Sequence, residues 1–268
     1  MIRRQITANG TDLHVATHGP DDAPAVVFLH PLGGDLRSWD AVTDRLPAGL
    51  RLVLPDMRGH GLSAAPPAPY AMGALVTDAE GVMDALGLRE AVVVGLSIGG
   101  MIAQGLAAKR LDLVRGLVLS NTAVKIGTRE MWEERIAGVR ASGLDGAADA
   151  ALERWFPEPF RSGPEAALAR RQFCRQTLEG WCGCAAAIAG TDLMTPTSGL
   201  RLPALAIAGD RDGSTPPDLV RETAGLIPGA RFHLIRGAGH LPCIDAPDTF
   251  ADLLAEFLRG IGHLPETT

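Results

Sequence analysis

Apolar positions along this chain follow two rhythms, and their alternation predicts the architecture. Unbroken apolar runs fall at Ala25–His30, Leu50–Leu54, Val92–Leu96, Gly116–Ser120 and Ala204–Ala208. A run that is apolar throughout suits a strand buried on both faces of a sheet. Between these runs lie stretches with helical spacing: near Leu36–Leu46, Met72–Leu86, Ile98 to about Lys109, Pro217–Leu226 and Pro247–Leu258. At the N-terminus, residues 2–8 and 11–18 read as strands around Asn9-Gly10, a strong hairpin signal. Arg231–Ile235 reads as a last strand. Strands alternating with helices predict an α/β class, with a mostly parallel eight-stranded sheet, right-handed crossovers and helices on both faces.

The alternation stops after Asn121. From Thr122 to about Thr197 no buried-strand pattern occurs, only helical stretches at Met131–Ala141, Gly146–Arg154, Pro164–Gln176 and Gly180–Gly190. The expected organisation is one core domain, residues 1–121 and 198–268, with a helical cap over 122–197 inserted after the sixth strand. That insertion leaves the carboxyl edge of the sheet, the edge where open α/β sheets bind ligands.

Composition narrows the class without changing it. Apolar residues at 46% and charged residues at 21% over 268 residues describe a chain with a substantial core. A net charge of −6 with no Lys/Arg-rich run argues against nucleic acid. No apolar run approaches the roughly 20 residues that span a bilayer, so no membrane partner is expected. The N-terminus lacks the apolar core of a signal peptide, which makes the cytoplasm the expected location. Cys174, Cys182, Cys184 and Cys243 show neither a disulfide framework nor metal spacing, and read as small buried hydrophobes or pocket-lining residues. Oligomeric state is not legible.

The chemistry centres on Val92-Val93-Val94-Gly95-Leu96-Ser97-Ile98-Gly99-Gly100. A strand running into Gly-x-Ser-x-Gly and then a helix is the context of a nucleophile elbow. Gly95 and Gly99 let the strand and helix backbones approach, and the tight turn lifts the Ser97 hydroxyl above the sheet edge. A serine needs a base and a group to orient that base. In this architecture an acid and then a histidine should follow, each after a late strand. Ala204–Ala208 runs into Gly209-Asp210-Arg211-Asp212, and Leu234-Ile235 into Gly237-Ala238-Gly239-His240. His240 is therefore the expected base. Asp212 is the expected acid by its Gly-x-x-Asp spacing, leaving Asp210 to bond nearby backbone or Arg211. An acid after the preceding strand is not available, because that position reads Ser120-Asn121-Thr122. His30 and His60 share the sheet edge but precede the serine, and read as structural or pocket residues. Two N–H donors should receive the oxyanion, an arrangement typically worth several kcal/mol. One is Ile98 and the other Leu32, with Gly33 as the fallback, since Pro31 has no N–H.

These motifs, with Asp56-Met57-Arg58-Gly59-His60-Gly61-Leu62-Ser63, make the chain resemble the α/β-hydrolase superfamily over essentially its whole length. Leu119–Trp132, Gly180–Ile188 and Thr191-Asp192-Leu193 resemble the 3-oxoadipate enol-lactonase family more narrowly. One departure is the loop His30-Pro31-Leu32-Gly33, where that family often carries Asn/Ser-Ser-Leu-Gly. The resemblance implies hydrolysis of 3-oxoadipate enol-lactone to 3-oxoadipate, late in bacterial breakdown of aromatic acids, without metal or cofactor. The substrate would be a small lactone bearing a carboxylate. The cap should then offer a cation, with Lys125, Arg129 and Arg135 as candidates, and a flat wall, with Trp132 and Trp155. Rival readings are a carboxylesterase, a perhydrolase-type haloperoxidase or a carbon–carbon bond hydrolase on this scaffold, and a ligand-binding receptor that has lost activity.

Overall fold

The computed structural model describes residues 1–264. Its sheet has the order β1-β2-β4-β3-β5-β6-β7-β8. The strands are β1 (Ile2–Ala8), β2 (Thr11–His18), β3 (Ala25–Leu29), β4 (Arg51–Pro55), β5 (Ala91–Leu96), β6 (Val114–Ser120), β7 (Ala204–Gly209) and β8 (Arg231–Ile235). Asn9 and Gly10 both take positive φ, 48° and 68°, as a two-residue hairpin turn requires. β1 pairs antiparallel with β2, and β2 antiparallel with β4; every later pairing is parallel. Every residue of β3, β4, β5 and β7 is buried, whereas edge strand β8 alternates. The continuous apolar runs thus occupy the sheet centre.

The helix expected over Leu36–Leu46 is divided. A 3-10 turn at Leu36–Trp39, capped by the Asp35 carboxylate accepting from the Arg37 N–H, runs into short α1 (Asp40–Thr43). α2 (Met72–Ala85) and α3 (Ile98–Lys109) follow their patterns. Between β6 and β7 come α4 (Arg129–Trp155), α5 (Pro164–Cys174), α6 (Leu178–Ala189) and α7 (Met194–Ser198). The two helices expected at Met131–Ala141 and Gly146–Arg154 are the two halves of α4. Gly143, at φ 72° and ψ 173°, breaks the helical path between them, a conformation open to glycine at little cost. α8 (Pro217–Gly225), α9 (Pro242–Asp245) and α10 (Pro247–Gly260) complete the chain. The short helices α7 and α9 carry too few turns to leave a periodic signal.

The helices between β6 and β7 are seated backbone to backbone on the core. A Cβ on Gly180 of α6 would lie 2.1 Å from the Gly59 carbonyl oxygen. The Thr177 hydroxyl donates to that same oxygen at 2.9 Å. This seat fixes the roof above the carboxyl edge, where the candidate site lies. None of the described helices is long and apolar enough to cross a membrane.

Candidate active site

The loop between β5 and α3 places Ser97 by crowding. A Cβ on Gly95 would meet the Gly99 carbonyl oxygen at 2.3 Å, and one on Gly99 would meet the Leu29 carbonyl oxygen at 2.1 Å. Only hydrogen fits at either position. Ser97 itself sits at φ 57°, ψ −118°, a strained state that persists because its surroundings hold it. Its N–H donates to the Ser120 carbonyl at 3.0 Å, and its carbonyl accepts from the Thr122 hydroxyl at 2.6 Å. The peptide units on both sides are therefore tied to the end of β6. The side chain projects into a cavity of about 140 Å³ beneath the roof.

His240 lines the same cavity. Its Nδ1 lies 2.9 Å from Asp212 Oδ2, which leaves Nε2 available to the cavity. Asp212 is held on both oxygens. Oδ1 accepts from the Ser214 and Thr215 N–H groups at 2.6 and 3.0 Å, while Oδ2 also accepts from the Thr215 hydroxyl at 2.6 Å and Asn121 Nδ2 at 2.8 Å. Burial pushes its pKa up, but His240, Thr215 and Asn121 outweigh burial and hold the carboxyl below its ordinary value. Asp210 is spent elsewhere, accepting from the Gly237 N–H at 2.6 Å. Alternate residues in this loop aim apart, and Asp212 is the one that faces the imidazole. Among the described residues no hydrogen bond holds the Ser97 hydroxyl. Such contacts are often long without substrate and tighten when it binds.

Asn121 is a partner that sequence reasoning missed. It follows β6 at φ 46° and donates to both Asp212 Oδ2 and the Gly239 carbonyl. One amide thus ties the acid loop to the histidine loop. Its post-strand position was the available signal; the absence of an acid there drew attention away from what an amide could hold.

The loop after β3 distinguishes the candidate oxyanion donors. The Gly33 N–H already donates to His60 Nε2 at 3.1 Å, so the fallback donor is occupied. The N–H groups of Leu32 and Ile98 have no acceptor among the described residues, and Leu32 lines the cavity. His60 is fully buried, and burial, followed by neighbouring His30, lowers its pKa to about 3. A neutral His60 can accept from Gly33 throughout the working pH range. His30 is likewise buried and its pKa lowered by burial; it bridges the Pro31 carbonyl and the Met57 N–H, each at 2.9 Å. Both histidines brace the loop that carries Leu32.

The roof supplies the cavity's other walls. Trp132, Arg135 and Trp155 line it, as their sequence positions predict. The Trp132 indole N–H donates to the Ile126 carbonyl at 2.7 Å, and Arg135 stacks 4.6 Å from the Trp132 ring centroid. The other two candidate cations require correction. Lys125 is exposed and pairs with Asp192 at 3.6 Å. Arg129 is exposed beside it on a separate outer groove. Both lie around the start of α4, before the turn that faces inward. Arg154, which sequence reasoning passed over, does reach the cavity. Ala151 and Arg154 line it three residues apart, a helical spacing that was visible in the sequence. The backbone here also clamps the loops below: the Trp155 carbonyl accepts from the His240 N–H at 2.7 Å, and the Arg154 carbonyl from the Gly213 N–H at 3.1 Å.

Asp245 lies behind His240. Its Oδ2 accepts from the Gly239 N–H at 2.6 Å, while Oδ1 is buried without a partner. Burial raises its pKa to about 7, with the Asp212 charge adding to the shift and the Gly239 N–H opposing it. The folded protein therefore keeps a proton that the unfolded chain releases near pH 4. Stability from this group is present at low pH and is lost as pH rises through about 7. Asp245→Asn has no proton to lose. Its stability relative to wild type should rise between pH 5 and pH 8, by roughly 2 kcal/mol after discounting for partial exposure. Denaturant unfolding at the two pH values checks this.

The sequence profile of the Alpha/beta hydrolase family matches residues 26–253. Over 212 residues the chain is 32% identical to 3-oxoadipate enol-lactonase 2 of Acinetobacter baylyi, covering 78% of this chain and 79% of that one. It is 30% identical to the pimeloyl-[acyl-carrier protein] methyl ester esterase of Chromobacterium violaceum, covering 92% and 98% of the two chains. The solved enol-lactonase of Burkholderia xenovorans LB400 superposes with a TM-score of 0.92 at 35% identity, covering 96% of this chain and all of that one.

Proposed function

The chain belongs to the alpha/beta hydrolase family and is an ester- or lactone-cleaving hydrolase; from that premise we propose that it opens 3-oxoadipate enol-lactone to 3-oxoadipate. The observation that carries this reading is one small cavity joining Ser97 and His240 to the Arg135 guanidinium and the Trp132 and Trp155 rings. A volume of about 140 Å³ is the size of cavity that admits a single small ring. A lactone with a short acid arm suits it, and a long acyl chain does not. The relatives named as enol-lactonases support the same substrate.

In this mechanism His240 takes the Ser97 proton as Oγ attacks the lactone carbonyl carbon. Asp212 holds the imidazole with Nδ1 protonated, so that Nε2 can act as base. The oxyanion is received by the N–H groups of Leu32 and Ile98. The ring C–O bond then breaks, and the leaving enol oxygen takes the proton from His240. Ketonisation of the free enol removes the leaving group and prevents the reverse attack. A water molecule, deprotonated by His240, cleaves the acyl–Ser97 ester and releases the second carboxylate. Within this reading the enzyme serves a late step of aromatic-acid breakdown in the cytoplasm.

Turnover of the enol-lactone beside that of p-nitrophenyl butyrate tests the proposal. The expected result is a kcat/KM for the lactone about 100-fold above that for the neutral ester. Strong ester turnover with none of the lactone would overturn it.

A further inference from the structure

Three carboxyl groups serve the loop that carries His240, and only one has a part in the mechanism. Asp212 takes the imidazole and Asp210 the Gly237 N–H. Asp245 takes the Gly239 N–H, in the peptide unit next to His240, at 2.6 Å. The turn Leu241–Asp245, closed by the Asp245 N–H donating to the Leu241 carbonyl at 3.1 Å, folds the carboxyl back over that peptide. The other sides of the peptide are gripped as well. The Gly239 carbonyl accepts from Asn121, and the His240 N–H donates to the Trp155 carbonyl. A Cβ on Gly239 would lie 2.1 Å from the Trp155 carbonyl oxygen and 3.1 Å from Asp245 Oδ2. His240 is thus wedged between the cap and α9, and Asp245 is the member of that wedge that can change charge.

The surroundings of Asp245 leave that charge exposed to the triad. Oδ1 is buried and has no partner among the described residues. The charged groups that bear on the carboxyl are Asp212, which repels its charge, and His240, which favours it. On α9 itself Cys243 is a buried thiol. The elements packed against α9 are the 3-10 turn, α1 and α10. The 3-10 turn brings Arg37, paired with Asp35, and the neutral Trp39 indole. α1 brings Asp40, which is exposed, and α10 brings Asp248, which is exposed and paired with Arg45. Burial, the largest influence, holds the Asp245 proton to about pH 7. The pull between two groups is mutual: if a charged imidazole favours the Asp245 anion, the anion favours the charged imidazole.

We propose that Asp245 is a positioning residue for His240, holding the Gly239 peptide and, once ionised, supporting the imidazolium that forms when Ser97 passes its proton to Nε2. Hydrolysis then carries a second ionisation coupled to that of His240, and the observed values belong to the pair. This rests on the hydrolase reading and applies to any ester the enzyme cleaves.

The test is the pH profile of kcat/KM for p-nitrophenyl butyrate, from pH 5 to 9, in wild type, Asp245→Asn, Asp245→Ala and Ser97→Ala. Asparagine keeps an oxygen for the Gly239 N–H but cannot ionise. Its profile should meet that of wild type below about pH 6 and level off about 3- to 10-fold lower above pH 8. Alanine leaves the N–H without an acceptor, so it should fall about 10-fold at every pH, in kcat more than in KM. Rescue of the low-pH rate by asparagine, with the high-pH rate still reduced, is a pattern that a purely structural loss does not produce. Wild-type and asparagine profiles that overlay throughout, or asparagine and alanine losses that are equal at all pH values, would overturn the assignment. If Ser97→Ala still hydrolyses the ester, the hydrolase reading falls and Asp245 with it. If activity needs Ser97 but ignores Asp245, the assignment alone fails.

Discussion

Ser97→Ala lowers kcat/KM for ester or lactone hydrolysis by about 10⁴- to 10⁶-fold, the range for removing the nucleophile from a serine–histidine–acid unit. The loss is chemical rather than structural. Alanine carries the same Cβ as serine, so the strained backbone at φ 57° is equally tolerable to both. The backbone bonds from Ser97 to Ser120 and Thr122 do not involve the lost hydroxyl. The free energy of unfolding should therefore stay within about 1 kcal/mol of wild type. Residual activity would come from the N–H groups of Leu32 and Ile98, which still polarise the carbonyl. Steady-state kinetics together with denaturant unfolding separate these contributions.

Asp212→Asn produces the second large effect, about 10⁴-fold in kcat. The side chain keeps its shape, and an amide oxygen can still accept from the Ser214 and Thr215 N–H groups. What changes is the face toward His240, where an amide nitrogen then meets Nδ1. A donor there favours the tautomer protonated on Nε2, which cannot take the Ser97 proton. Asp210→Asn gives the contrast. Asp210 faces the Gly237 N–H and not the imidazole, so its replacement should change kcat by less than about threefold. Equal losses in the two variants would mean that the acid has been misassigned.

The parts of this site that depend on chain order and local turn chemistry were legible in the sequence. A strand, a Gly-x-Ser-x-Gly and a helix can fold in few ways, and the crowding at Gly95 and Gly99 is the reason. The same logic distinguished His240 from the other histidines by its position after a late strand. The cap was less legible. Its helices could be read, but whether a given side chain faces inward depends on how each helix is docked. Lys125 and Arg129 precede the inward turn and face solvent, whereas Trp132 and Arg135, three residues apart, share the inner face. Arg154 follows the same spacing from Ala151, yet a single helix face could not be phased across the break at Gly143. Asn121 and Asp245 were harder to read for another reason. Asn121 acts on Asp212, 91 residues away, and only the folded sheet edge brings the two together; Asp245 acts on the Gly239 N–H six residues back, through a turn that leaves no periodic signal.

The most direct test is to treat the protein with an aryl alkylphosphonate, map the adduct by mass spectrometry and follow activity in parallel. The account predicts one phosphonyl group, on Ser97, with hydrolytic activity lost in proportion to labelling and no adduct in Ser97→Ala. Full hydrolytic activity in protein stoichiometrically labelled at Ser97, or inactivation through an adduct on another residue, would contradict it.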